Sequence, residues 1–357
     1  MASEGTFDKA RSKQFMGRFI EQLNSAAVIQ MVSLGNRTGL FDAMAGLGPA
    51  TSAQIAAKAG MQERYVREWL GGVTCGGIVE YDPSGGVYRL PPEHAGFLTT
   101  AAGARNLSTM AKLLCSLSQV EPQVAECFST GGGVPYTEYP EFHGFQREAS
   151  GAVHDASLVG GILPQIDGLV EQLEQGIDVA DVGCGAGHAV NVMAAAFPES
   201  RFTGFDFSEQ AISMAEAEAK AMGLSNANFE VADAADLRAG PFDFMTTFDA
   251  VHDQAKPADM VAGIARALKD DGVWLCVDIA GSSHLEDDQA LAMAPFFYAT
   301  STLHCMTVSL AYGGDGLGAM WGEEQALALF ADAGFANVDV RKVAGDAFNN
   351  YYICRRS

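Results

Sequence analysis

Nine residues, Asp181-Val182-Gly183-Cys184-Gly185-Ala186-Gly187-His188-Ala189, combine an acid with three glycines at alternate positions. Glycines at this spacing let the backbone turn sharply and approach a ligand closely, and a helix opened by such a turn presents unpaired N–H groups. The apolar run 177–182 before the turn reads as a buried strand, and 190–197 after it reads as a helix. Strand, glycine turn and helix together make a nucleoside or nucleotide site. The dinucleotide fingerprint is Gly-x-Gly-x-x-Gly, whereas the spacing here is Gly-x-Gly-x-Gly. On this turn alone, an ordinary tight connection and an NAD site both stay open.

Acids further along sharpen the reading. A second strand over 201–205 runs into Asp206, at the place where an acid can hold both ribose hydroxyls. A third strand over 227–231 leads into Asp233 and Ala234, and an NAD site calls for no acid there. A fourth strand fits 242–248, with Asp249, His252 and Asp253 on the loop behind it. A fifth fits 273–279, after a turn at 269–272. Alternating strands and helices argue a mostly parallel α/β sheet, and such sheets bind ligands beyond the carboxyl ends of their strands. A helix over 323–333 and two strands over 338–343 and 351–355 close the chain as an antiparallel pair.

The glycine spacing with Asp181 resembles the first motif of class I methyltransferases, which bind S-adenosylmethionine (SAM) and release S-adenosylhomocysteine. That resemblance implies a Rossmann-like sheet in which Asp181, Gly183, Gly185 and Gly187 shape the methionine pocket, Asp206 holds the ribose and Asp233 the adenine. Phe207, Ala234 and Phe248 are the neighbours expected to line the cofactor.

Composition bounds the partners. A formal net charge of −22 argues against nucleic acid and against an anionic membrane, since both attract Lys and Arg. No apolar stretch reaches the length of a spanning helix, and the first residues lack a basic segment followed by an apolar core, so no signal peptide is expected. Seven scattered cysteines, with no Cys-x-x-Cys and no zinc spacing, point to a reducing cytoplasm and no metal.

Residues 1–100 form a different unit. Phe15, Phe19, Leu23, Ala27 and Met31 recur every four residues, as on one face of a long helix. Thr51-Ser52-Ala53-Gln54 is a capping box for a second helix, Gly60 ends that helix, and 63–73 makes a third. Segments 79–81 and 87–90 flank an Asp-Pro-Ser-Gly-Gly turn as a hairpin. This is a winged-helix layout, which raises a DNA-binding or SAM-responsive regulator reading. Nine Lys/Arg against nine Asp/Glu in these residues give no basic face, and dimerisation is the expected role.

Residues 101–165 read as a helical linker and lid, with a Gly131-Gly132-Gly133 loop followed by Tyr136, Phe142 and Gln146 as acceptor contacts. Filling an interdomain core stays open as their alternative role. Residues 166–357 are then the SAM-binding domain, carrying a cap insertion over 282–325 that lacks Lys and Arg. Tyr298 and Trp321 of the cap are further acceptor candidates. The segments 248–254, 301–310 and 318–322 carry a closer resemblance, to mycobacterial winged-helix methyltransferases of uncertain substrate.

Methyl transfer is an in-line displacement in which the protein aligns the acceptor and excludes water. A hydroxyl or thiol acceptor also loses a proton, for which His252, His154 and His304 are the candidates. Each has a plain alternative, as a histidine that orders a loop or sits satisfied in a core. The expectation is O- or S-methylation of a small molecule by a cytoplasmic homodimer. A methylthio-hydroxy acid giving a sulfonium product is the named alternative.

Overall fold

The computed structural model describes residues 7–139, 142–343, 346 and 348–356, with the backbone alone for 143, 146, 147 and 149. Gln146, one of the expected acceptor contacts, therefore has its side chain outside the described residues. The chain divides into two units, Met1–Cys115 and Ser116–Ser357.

In the first unit, Asp8 caps the helix Lys9–Thr38 by accepting from the N–H groups of Ala10 and Arg11, and Gly39 ends it in the left-handed region. The capping box at Thr51 and Gln54 forms as its sequence dictates and opens Ser52–Ala59, which Gly60 terminates. Glu63–Cys75 follows. Strands β1 (Glu80–Asp82) and β2 (Val87–Arg89) then pair antiparallel, with Tyr81 opposite Tyr88. Phe41, Ile55, Leu70 and Val73 are buried at the centre, and Trp69 Nε1 donates to the Met31 carbonyl at 2.8 Å. The winged-helix layout is thus present. The apolar face of the long helix is not buried within this unit: Phe15 is 59%, Phe19 48% and Leu23 56% exposed.

The second unit is built on seven strands: β3 (Asp178–Val182), β4 (Arg201–Asp206), β5 (Ala227–Val231), β6 (Phe242–Phe248), β7 (Leu268–Ile279), β8 (Asn337–Arg341) and β9 (Asn349–Arg355). Their order is β5-β4-β3-β6-β7-β9-β8, parallel throughout except for β9, which runs against both neighbours. The central strands are near-continuous apolar runs because helices cover both faces. One core packs Trp274, Phe330, Phe335 and Tyr352 together, and the other packs Phe202, Phe244, Leu275 and Tyr351. The Lys269–Gly272 stretch, expected as a turn before the strand, is instead an irregularity inside β7. Phe242 pairs with Leu268 and Phe244 with Val273, so the intervening residues bulge out.

Two helical segments are wound in the wider π form, which occurs often at functional sites. One is His154–Ile162, and the other, Ser301–Cys305, interrupts the helical run from Ala294 to Ala311. His154 and His304 sit one on each.

Candidate active site

The carboxyl ends of β3, β4, β5 and β6 converge on a cavity of about 400 Å³, within the size range of small-molecule sites. The turn after β3 forms its floor. Gly183, Gly185 and Gly187 have φ of 75°, 52° and 72°, which other residues rarely adopt. The turn is also tightly backed. A Cβ on Gly183 would fall 2.7 Å from Ala250 Cβ, and one on Gly187 2.5 Å from both Ala215 Cβ and Phe229 Cε1. The N–H groups of Gly183 and Cys184 donate to the Phe205 carbonyl at 2.8 and 3.0 Å, which fastens the turn to β4.

Asp206, at the end of β4, is fixed from both sides: Gly185 N–H donates to Oδ2 and Ser208 N–H to Oδ1, each at 2.9 Å. Asp233 Oδ1 accepts from Ala235 N–H at 2.9 Å. Asp206, Phe207, Asp233 and Ala234 all line the cavity. Asp181 lies behind the turn, accepting from Thr246 Oγ1 at 2.7 Å, and burial pushes its carboxyl up to about 7.

A small annexe adjoins the glycine turn. Asp181, Gly183, Gly187, His188, Phe248 and His154 line it, and Gly183 belongs to both spaces. His154 is buried, its Nδ1 has no hydrogen-bond partner among the described residues, and burial together with His188 lowers its pKa to about 4.

The loop after β6 carries a cluster of acids around a buried histidine. Asp249 has φ of 50°, an uncommon conformation for a residue with a side chain, and burial plus Asp278 raises its carboxyl to about 7. His252 Nδ1 lies 2.6 Å from Oδ1 of Asp278, at the end of β7, and its Nε2 lies 3.2 Å from Oδ1 of Asp253. The same Asp278 oxygen accepts from Ile279 N–H at 2.8 Å and Trp321 Nε1 at 3.2 Å. Burial alone would lower the His252 pKa, but Asp278 and Asp253 outweigh it and hold the ring well above its ordinary value. For Asp253 burial raises the carboxyl, yet His252 overrides this and leaves it at about 2. His252, Asp253 and Cys305 bring their donor atoms within 4.8 Å of one another, the one group of three such residues that close among the described residues. Burial pushes the Cys305 thiol up to about 12, so the group is assembled around hydrogen bonds rather than around a thiolate.

Asp253 lines the cavity, whereas His252 does not. Tyr136, Phe207, Val308 and Tyr312 supply the apolar walls. Behind Tyr136, the ring of His304 stacks on Phe142 with centroids 3.7 Å apart, and His304 Nδ1 is 3.9 Å from Asp253 Oδ2. The loop leading to these aromatics is pinned to the cap helix. Val134 N–H donates to Thr307 Oγ1 at 3.0 Å, and Tyr139 hydroxyl donates to the Leu303 carbonyl at 2.6 Å.

Among the expected site residues, then, Gly183, Gly185, Asp206, Phe207, Asp233, Ala234 and Tyr136 meet at the cavity, and Asp181, Gly187, His154 and Phe248 at the annexe. His252, His304 and Phe142 form the layer behind Asp253 and Tyr136. Tyr298 and Trp321 are not brought to the cavity. Tyr298 donates to Asp288 at 2.7 Å, and Trp321 is buried in the core, where its indole N–H serves Asp278. Lys256, Val308 and Asp278 were not singled out from sequence. Asp278 carried a legible signal, a lone acid in the otherwise apolar run Val273–Ile279.

A mostly parallel sheet with one reversed strand beside its edge, a glycine turn after β3 and acids after β4 and β5 define a Rossmann-like methyltransferase fold. Comparison with known families agrees. Residues 26–100 match the Rv2258c-like winged HTH domain and residues 173–334 match a methyltransferase domain. The chain thus carries a winged HTH domain of that kind ahead of a methyltransferase domain. Human N-acetylserotonin methyltransferase, solved in complex with SAM, superposes with a TM-score of 0.70 at 16% identity, with 100% of each chain covered. The mitomycin 7-O-methyltransferase MmcR gives 0.72 at 17% identity, over 98% of this chain and 100% of that one. An O-methyltransferase family protein from Burkholderia thailandensis gives 0.65 at 18%, over 99% of both.

Proposed function

We propose that the protein transfers the methyl group of SAM to a hydroxyl or thiol of a small, largely apolar acceptor. The observation that carries this reading is the Asp253 carboxylate, backed by His252 and Asp278, on the wall of an otherwise aromatic cavity. An acceptor that loses a proton on methylation needs such a group, and a thioether or tertiary amine does not.

The residues present fit SAM. Asp206 and Asp233 stand at the ends of adjacent strands, where a nucleoside would offer its ribose hydroxyls and its base. The annexe offers the glycine turn and the unpartnered Nδ1 of His154 to a polar amino-acid end. That assigns His154 to cofactor binding rather than to proton transfer. When bound, SAM supplies a methyl carbon already activated by a positively charged sulfur. The chain's own part is to hold the acceptor in line, keep water out with Tyr136, Phe207 and Tyr312, and accept a proton.

The exposed stripe Phe15, Phe19, Leu23 supports a homodimer through the first unit. Charge supports a partner that is neither nucleic acid nor membrane, and seven free cysteines fit a reducing cytoplasm. Among the described residues no helix is long and apolar enough to cross a membrane.

Methyl-labelled SAM incubated with phenols, hydroxy acids, thiols, thioethers and amines tests the proposal. Label entering phenols, hydroxy acids or thiols is expected. Label entering a methylthio-hydroxy acid alone, at sulfur, would replace this reading with sulfonium formation. SAM binding without transfer, accompanied by a shifted DNA band, would replace it with a regulator.

A further inference from the structure

The first unit carries a cavity of its own. It measures about 550 Å³, within the range of small-molecule sites, and every residue lining it lies within Met1–Cys115. Four short segments build its walls: the turn after the helix Leu40–Ala45, the end of β2, the helix Pro92–Leu98 and the 3₁₀ segment Thr100–Arg105. Hydrogen bonds hold these segments together. Ala50 and Tyr88 exchange backbone bonds at 3.0 and 2.8 Å, and Thr100 donates its N–H and its hydroxyl to Asp42 Oδ1 at 2.9 and 2.8 Å.

The lining side chains are apolar apart from Thr99 and two arginines. The Thr99 hydroxyl donates to the Ala95 carbonyl at 2.8 Å. Arg89 donates through Nε and Nη2 to Glu80 at 2.9 and 2.7 Å, so its charge is met. Arg105 lies over the ring of Phe97, 6.0 Å from its centroid, and has no hydrogen-bond partner among the described residues. An aromatic face steadies a guanidinium without using its N–H donors. No acid lines this cavity, whereas Asp206, Asp233, Asp249 and Asp253 all line the one at the strand ends. The charge of the chain divides the same way. Residues 1–115 hold eleven Lys/Arg and nine Asp/Glu, while residues 116–357 hold eleven and thirty-five. The field of the second unit repels an anion, and that of the first does not.

We propose that this cavity is a second ligand site, taking a small amphipathic carboxylate. The carboxylate pairs with the free donors of Arg105, in the two-point geometry that a guanidinium offers. The apolar body lies on Leu47, Pro49, Leu90, Ala95 and Ala102. Burial of that body supplies most of the affinity, and the ion pair selects the charge, because an exposed pair adds little energy by itself. SAM, with its net positive charge, would meet an uncompensated guanidinium here. The site shares no lining residue with the cavity proposed for methyl transfer, and it gives the first unit a ligand of its own.

Calorimetry on the full-length protein tests the proposal, with phenylbutyrate and octanoate as probes and phenylbutanol as the uncharged control. Saturating S-adenosylhomocysteine occupies the strand-end cavity throughout. One carboxylate is expected to bind per chain, with phenylbutanol roughly 5-fold weaker. Arg105→Gln should remove that difference. Ala101→Trp, which places a ring in the cavity, should abolish binding of all three compounds. Both positions are exposed, and if Ala101→Trp does not fold, Arg105→Gln alone decides. No heat from either carboxylate, equal affinity for phenylbutanol, or an Arg105→Gln protein that still prefers the acid overturns the proposal. Binding seen only when S-adenosylhomocysteine is left out also overturns it, since that places the probe at the strand ends. A dimer that dissociates when phenylbutyrate is added does so too, by making the groove a contact between copies of the chain.

Discussion

Gly187 shows how little freedom the cofactor turn has. Its φ of 72° disfavours a side chain, and a Cβ would also collide with Ala215 and Phe229 at 2.5 Å. Gly187→Ala is expected to lose about 2–4 kcal/mol, from overpacking plus left-handed strain, and to weaken SAM binding. Urea unfolding and calorimetry would measure both. Asp249 makes a separate, pH-dependent prediction. Its folded pKa of about 7 lies above the unfolded value of 3.8, so its contribution is complete below about pH 4 and is lost as pH rises through 7. Asp249→Asn removes that dependence. Relative to wild type, the variant should gain roughly 2–3 kcal/mol between pH 5 and pH 8, at 1.36 kcal/mol per unit. His154 has the opposite sign. Its folded value of about 4 is depressed from 6.5, so its contribution is present above pH 6.5 and fades as pH falls toward 4. His154→Phe should flatten the stability curve in that window. At this scale the acids at strand ends were legible, because position after an apolar run identifies them. The partnership of His252 with Asp278 was not legible, because it joins residues 26 positions apart through a pairing of strands.

Strands and helices were mostly readable, since β5 and β6 fall on the apolar runs 227–231 and 242–248 that periodicity marks. What periodicity missed was irregular: the bulge within β7 and the two π segments, each decided by tertiary packing rather than by local preference. The glycine loop before Tyr136 shows why packing decides. Gly133 lies so close to the cap helix that a Cβ would meet the Thr307 carbonyl at 1.8 Å and Ala311 N at 2.6 Å. No side chain can move aside, since both obstacles are backbone. Gly133→Ala should therefore lift the loop from the helix and break the Val134–Thr307 hydrogen bond. Acceptor KM should rise more than SAM affinity falls. Equal losses in the two would show that the loop serves overall stability instead.

For the whole molecule, the exposed apolar stripe of the first helix and the charge of −22 make joint predictions. Sedimentation should report a dimer at micromolar concentration. Phe19→Glu combined with Leu23→Glu should give a monomer that keeps its winged-helix core, because neither residue belongs to that core. Duplex DNA should not bind at physiological salt, where repulsion from an acidic surface dominates. From sequence the chain reads as three segments, 1–100, 101–165 and 166–357, whereas the structure has two units that part at Cys115. That division falls within the helix Leu107–Leu117, with no change of composition to mark it.

The reversed strand β9 has a further consequence. It lies inside the sheet, between β7 and β8, with Tyr351, Tyr352, Ile353 and Cys354 fully buried. A chain emerging from the ribosome therefore delivers every cofactor-facing strand before the one that seals them. Until residue 355 is out, β7 is an open edge able to recruit strands from neighbouring nascent chains. Damage to this short segment would therefore be felt during synthesis, as aggregation through β7, as well as in the stability of the finished protein.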